Sequence, residues 1–140
     1  MYNKLCMRQL FTTIFYFFTI SFSIASTSFY QEALHSFEND EFELSIKYLE
    51  KNIVFNPKSS ESYILLGKVY SALENSDKAE KYFKIAYTLI PESIELNFLL
   101  GEVSYNLGFI EEYAEYLSNL EILCSGKCSE IYRLKQLSAE

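Results

Sequence analysis

The stretch Ser60–Pro91, with the sequence SESYILLGKVYSALENSDKAEKYFKIAYTLIP, decides the fold of this 140-residue chain. Its aromatic, large aliphatic and small residues recur at helical steps, in the order Tyr63, Leu66, Gly67, Tyr70, Ala79, Phe83, Ala86 and Pro91. Steps of three and four residues place side chains on one face of an α-helix. The stretch therefore predicts two antiparallel helices, about Ser60–Leu73 and Asp77–Leu89, with Ser76 or Asp77 as the N-terminal cap of the second.

The same pattern recurs at a regular interval along the chain. Pro57 and Pro91 are the only prolines, and the interval between them is about 34 residues, a length typical of helical repeats. The pair Leu66-Gly67 recurs as Leu100-Gly101 at the same interval. An array of such units exposes core surface unless its last unit is covered. We therefore expect three units followed by a C-terminal capping helix, over residues 26–59, 60–93, 94–125 and 126–140.

Each unit resembles the tetratricopeptide repeat (TPR), a helix–turn–helix motif of about 34 residues. The resemblance covers residues 26–125 and implies an all-α fold, a right-handed superhelix of antiparallel helix pairs with about three TPR units. It also implies a protein that binds other proteins and carries out no chemistry. The first unit has the polar residues Glu32 and Asn52 at packing positions. We expect this face of the first unit to lack a full neighbour, as in a terminal repeat.

The N-terminal segment over residues 1–25 has the layout of a secretory signal. Lys4 and Arg8 precede the uncharged run LFTTIFYFFTISFSIA over residues 10–25, which ends in the small-x-small exit Ser23-Ile24-Ala25. The run is shorter than the roughly 20 apolar residues that span a bilayer comfortably. We predict a signal peptide over residues 1–25 and a secreted or periplasmic protein of a bacterial cell envelope. The alternative is an uncleaved segment that anchors the chain to the inner membrane through residues 10–25.

The charge of the mature chain excludes one class of partner. Loss of Lys4 and Arg8 leaves 10 of the 12 basic residues against 19 acidic ones, a net charge of −9. Nucleic-acid binding needs a basic stripe that neutralises phosphates, and the sequence has none. An acidic surface favours basic or neutral partners. We therefore predict a protein or peptide partner, no nucleic acid, and membrane contact only if the N-terminal segment is retained.

Two cysteines remain after signal removal, because Cys6 leaves with the signal. Cys124 and Cys128 flank Gly126, which permits a tight turn, and we predict a disulfide between them. The loop is small, so the bridge contributes at most about 2–3 kcal/mol. A redox-active dithiol is the alternative, although the spacing is not that of a thioredoxin-like site. Two cysteines and the distant His35 are too few ligands for zinc. The sequence has no phosphate-binding loop, nucleophile elbow or calcium loop, so we expect no cofactor and no enzyme activity.

The TPR resemblance also implies a ligand groove on the concave face, lined by the first helix of each unit. Its positions transfer to Tyr30, Leu34, Phe37, Ile64, Lys68, Ser71, Phe98, Glu102, Tyr105 and Asn106. A groove with one cation does not resemble the basic clamp that some family members use for acidic C-termini. We expect an extended, partly apolar peptide there instead. Alternatively, Phe37, Phe98 and Tyr105 pack against the next helix.

These observations lead to three hypotheses of different classes. The first is an exported TPR protein that acts as a protein–protein interaction module or scaffold and binds a peptide or protein partner in its concave groove. The second is a structural subunit that self-associates or docks in an envelope complex. The third is a dithiol redox protein that uses Cys124 and Cys128.

Overall fold

A computed structural model describes residues 29–139; the predicted signal peptide over residues 1–25 lies outside these residues. The described part of the chain forms seven helices and no strands. The helices are α1 over residues 29–38, α2 Phe42–Phe55, α3 Ser60–Ala72, α4 Ser76–Leu89, α5 Ile94–Asn106, α6 Ile110–Leu123 and α7 Ser129–Leu137. None of the described helices is long and apolar enough to cross a membrane.

Consecutive helices pack as pairs, α1 with α2, α3 with α4, and α5 with α6, and α7 packs on the last pair. Each pair turns through one residue of left-handed backbone conformation. These residues are Asp40, Glu74 and Gly108, with φ angles of 61°, 56° and 79°. They recur at the same interval as the two prolines, so the predicted period is also the period of the backbone geometry.

Gly67 sets the close approach of α3 and α4 in the central pair. A Cβ atom at this position would overlap the ring of Phe83, which is fully buried in α4. Ala79 and Ala86 are fully buried on the same helix, one turn to either side of that ring. Small residues of both helices therefore surround a large aromatic one in this pair, as the two predicted antiparallel helices require.

Side-chain caps begin three of the helices. Ser59 and Ser93 accept hydrogen bonds from the backbone N–H groups of Ser62 and Leu96, each at 3.3 Å. Asn75 accepts a hydrogen bond from the backbone N–H of Lys78 at 3.1 Å and caps α4. The prediction of Ser76 or Asp77 as the cap was wrong, because α4 begins at Ser76 and both residues already lie inside it.

The polar residue Asn52 does not face an empty side of the first unit. Its side chain is 2% exposed, and its Nδ2 donates a hydrogen bond to Ser62 Oγ at 2.7 Å. Ser59 Oγ lies 2.9 Å from the same Ser62 oxygen. The expectation that this position lacks a neighbour was wrong: α3 covers Asn52 and accepts a hydrogen bond from its Nδ2, although its buried Oδ1 has no hydrogen-bond partner among the described residues. Glu32, by contrast, is exposed to solvent.

In the last pair, Tyr113 stands at the position that Ala79 holds in the central one. It is nearly buried, and its hydroxyl donates a hydrogen bond to the backbone oxygen of Leu134 at 3.0 Å. Leu134 and Ile131 of α7 lie in one apolar cluster with Phe98 and Tyr113. The predicted helix at the C-terminal end of the array thus covers the last pair and is tied to it by a buried hydrogen bond.

Candidate functional site

A cavity of about 590 Å³ opens on the face where α3, α5 and α7 lie side by side. Its lining residues are Lys68 of α3, then Ile94, Glu95, Phe98, Leu99 and Glu102 of α5, and Glu130 and Arg133 of α7. No residue of α4 or α6 contributes to it. The cavity therefore belongs to the face formed by the first helices of successive units, where the resemblance places a ligand groove.

An ion pair connects α3 to α5 at one side of the cavity. Lys68 Nζ lies 2.5 Å from Glu95 Oε1, and the two side chains are 38% and 51% exposed. Exposed pairs of this kind contribute about 0–1 kcal/mol to stability. The charge of Lys68 is nevertheless balanced by Glu95 within the protein.

Arg133 brings a second cation into the cavity from α7. The central carbon of its guanidinium lies 4.3 Å from the centroid of the Phe98 ring, within the range of a cation–π contact. Phe98 is only 5% exposed, because α7 and this guanidinium cover it. The aromatic surface at this end of the groove is therefore held by the protein's own arginine.

Carboxylates extend along the same face toward the N-terminal unit. Burial raises the pKa of Tyr30 above its ordinary value, and the nearby charges of Glu61 and Glu95 raise it further. Tyr30 of α1 also packs on the apolar cluster that contains Leu65 and Leu66 of α3, so the first helix of the first unit lies beside α3. The tyrosine hydroxyl stays neutral and can donate a hydrogen bond at any physiological pH.

Three of the ten predicted groove residues meet in the cavity: Lys68, Phe98 and Glu102. Ile64 is 8% exposed within the apolar core, and Tyr105 packs on Tyr113 with ring centroids 5.4 Å apart. The remaining five fall into two groups. Half-buried side chains that pack on the core of the first pair are Tyr30, Leu34 and Phe37, and exposed side chains are Ser71 and Asn106.

Sequence reasoning missed the part of the cavity that α7 supplies. The sequence predicts only that α7 caps the array, whereas Glu130 and Arg133 of this helix line the cavity. A signal for this role was present in the sequence. Leu66, Leu100 and Leu134 recur at the interval of the repeat, and all three are buried at 1% exposure or less. The period therefore continues into α7, which takes the place of the first helix of a fourth unit.

The predicted cysteine pair lies at the turn between α6 and α7. The Cα atoms of Cys124 and Cys128 are 5.5 Å apart, and their sulfur atoms are within bonding distance. Ser125 and Gly126 adopt left-handed backbone conformations between them, with φ angles of 49° and 73°. The pairing stays a prediction that thiol chemistry can test. The described residues contain no group of three or more His, Cys, Asp and Glu side chains that could hold a metal ion.

No protein-family model matches the sequence, and no curated protein matches it. Solved structures do share its fold. The second TPR domain of human RPAP3, in complex with an HSP70 peptide, matches with a TM-score of 0.75 and 15% identity, over 85% of this chain and 99% of that domain. SycD, a type III secretion chaperone of Yersinia enterocolitica in complex with a peptide of the translocator YopD, matches with a TM-score of 0.69 and 17% identity, over 81% of this chain and 86% of that one. These likenesses confirm the predicted all-α arrangement of helix pairs.

Proposed function

We propose that this chain, whose fold is that of the TPR proteins, is an interaction module or scaffold that binds a peptide segment of a partner protein in its concave groove. The observation that carries the proposal is the cavity of about 590 Å³ across α3, α5 and α7. Its apolar floor and charged rim match the apolar core and polar rim of protein–protein interfaces. The structures of RPAP3 and SycD, which contain bound peptides, support it by analogy of fold.

A photo-crosslinking amino acid at one of two serines tests the groove. Ser71 lies one turn from Lys68 on α3, and Ser118 lies on α6, outside the groove; both are exposed. In cells that produce the protein, we expect position 71 to form an ultraviolet-dependent adduct with another protein. The control at position 118 should give no such adduct. Adducts at position 118 alone, or at neither position, would contradict the proposal.

We further propose that the module acts in a cell envelope, after export. Its support is the basic and apolar layout of residues 1–25 and the small-residue exit before Ser26, together with a cysteine pair suited to an oxidising compartment. In this proposal the mature protein consists of the repeat array over residues 26–125 and the capping helix over 126–140.

Export has two measurable consequences in protein taken from its own compartment. The N-terminal residue should be Ser26, and a thiol-alkylating reagent should modify no cysteine until the protein has been reduced, after which it should modify two, Cys124 and Cys128. Intact mass spectrometry reads both results from one sample. A chain that begins at Met1 would favour the anchored alternative, and two free thiols before reduction would exclude the disulfide.

A further inference from the structure

We infer that the concave cavity selects a cationic partner segment, in which a lysine or arginine side chain enters between Glu102 and Glu130. The inference rests on the proposed function and adds to it the chemistry of the partner. It follows from which charges in the cavity are already engaged and which are not.

The two cations of the cavity have their interactions within the protein. Lys68 pairs with Glu95, and Arg133 stacks on Phe98. Two carboxylates of the lining remain, Glu102 on α5 and Glu130 on α7. Among the described residues, neither Glu102 nor Glu130 forms an ion pair, and Glu130 accepts a single hydrogen bond, from Ser129 Oγ. Counted together, the three glutamates, one lysine and one arginine of the lining give it a net charge of −1.

The floor of the cavity suits the stem of a long cationic side chain. Ile94 is 38% exposed, and Leu99 is half-buried beside it. Lysine and arginine bury their methylene stems on such surface while their charge stays at a polar rim. The guanidinium of Arg133 rests on the Phe98 ring within this cavity, so the aromatic surface there already accepts a cation.

An acidic peptide is the occupant that this arrangement disfavours. Its carboxylates would lie beside Glu102 and Glu130, and Arg133 would be the only cation of the cavity not already held in an ion pair. Like charges that meet across an interface weaken the binding of a partner, and opposite charges speed its association. The cavity therefore discriminates between peptides by sign of charge.

Selection from a library of random linear nonapeptides displayed on phage, with the full-length protein as bait, tests the inference. We expect the selected peptides to be enriched in lysine and arginine next to apolar residues. Synthetic copies should bind about three- to tenfold more weakly to a variant with Glu102→Gln and Glu130→Gln, because two rim pairs of opposite charge are lost. The control, Glu111→Gln with Glu115→Gln, removes the same charge from exposed positions on α6 and should leave affinity within about twofold.

A second pair of variants separates failure of the inference from failure of the proposed function. Ile94 and Ile110 are exposed and are the first residues of α5 and α6, so a neutral change to alanine removes apolar surface from each without adding charge. Peptides that lose affinity with Ile94→Ala but not with Ile110→Ala occupy the groove. If such peptides are neutral or acidic, or respond equally to the α6 carboxylate control, the inference is overturned and the groove stands. Peptides whose affinity changes with neither Ile94→Ala nor the Glu102 and Glu130 double change would overturn both.

Discussion

Phe83→Ala should lower the free energy of unfolding by about 3–5 kcal/mol, the usual cost of removing a fully buried aromatic ring. Phe83 is 0% exposed, at the centre of the apolar cluster that joins α4 to α5. Small domains have total stabilities of about 5–15 kcal/mol, so the change removes a large share. Urea unfolding followed by far-ultraviolet circular dichroism measures it.

Phe109→Ala is the matched control for this variant. It removes the same atoms from a ring that is 44% exposed at the turn between α5 and α6. Exposed positions change stability by about 0.5 kcal/mol or less. Equal losses in the two variants would mean that the Phe83 ring does not fill the core of the central pair.

A double-mutant cycle with Gly67→Ala tests whether the Phe83 ring limits how closely α3 and α4 approach each other. Gly67→Ala alone should cost about 1–3 kcal/mol, because the new methyl group overlaps the Phe83 ring. In the Phe83→Ala background that overlap disappears, and the better helix propensity of alanine contributes up to about 1 kcal/mol instead. The two changes should therefore be strongly non-additive. Gly101→Ala should cost less, since its Cβ would lie 2.6 Å from a terminal methyl group of Leu134, which can shift more easily than an aromatic ring.

The central pair could be predicted from sequence because its packing is local. Tyr63 and Gly67 pack against the cluster of Ala79 and Phe83 within a single repeat unit, so the spacing alone contains the contact. The period also predicted the turns. A turn of this kind does not need glycine in every unit. Asp40 and Glu74 adopt the left-handed backbone conformation, which Gly108 adopts at a lower energetic cost.

The parts that sequence reasoning missed depend on contacts between units. Asn52 is a polar residue at a packing position of its own helix, and only the approach of Ser62 from α3 shows that its amide nitrogen is paired. The cavity likewise depends on α7, whose short amphipathic pattern predicts a cover and says nothing about the direction of Arg133. Three of the ten predicted groove residues line the cavity, because a shared helix face does not fix which side chains a neighbouring helix buries.

Leu134→Ala should release α7 from the array, with a loss of about 2–5 kcal/mol in the free energy that protects this helix. Leu134 is fully buried and lies against Gly101, and its backbone oxygen accepts the hydrogen bond of Tyr113. A helix of only 9 residues is not stable in isolation, so α7 depends on this packing. Hydrogen exchange of the α7 amides measures the change directly.

The control on the same helix is Tyr132→Ala, whose side chain is 66% exposed. It should leave exchange in α7 nearly unchanged, and neither variant should alter the protection of α3 and α4, because α7 packs on α5 and α6. Release of α7 also removes Arg133 from Phe98 and takes Glu130 out of the cavity. Leu134→Ala should therefore lower the affinity for the selected cationic peptides while the central pair of helices, α3 and α4, stays folded. Faster exchange in α7 with unchanged peptide affinity would show that the ligand face ends at α5.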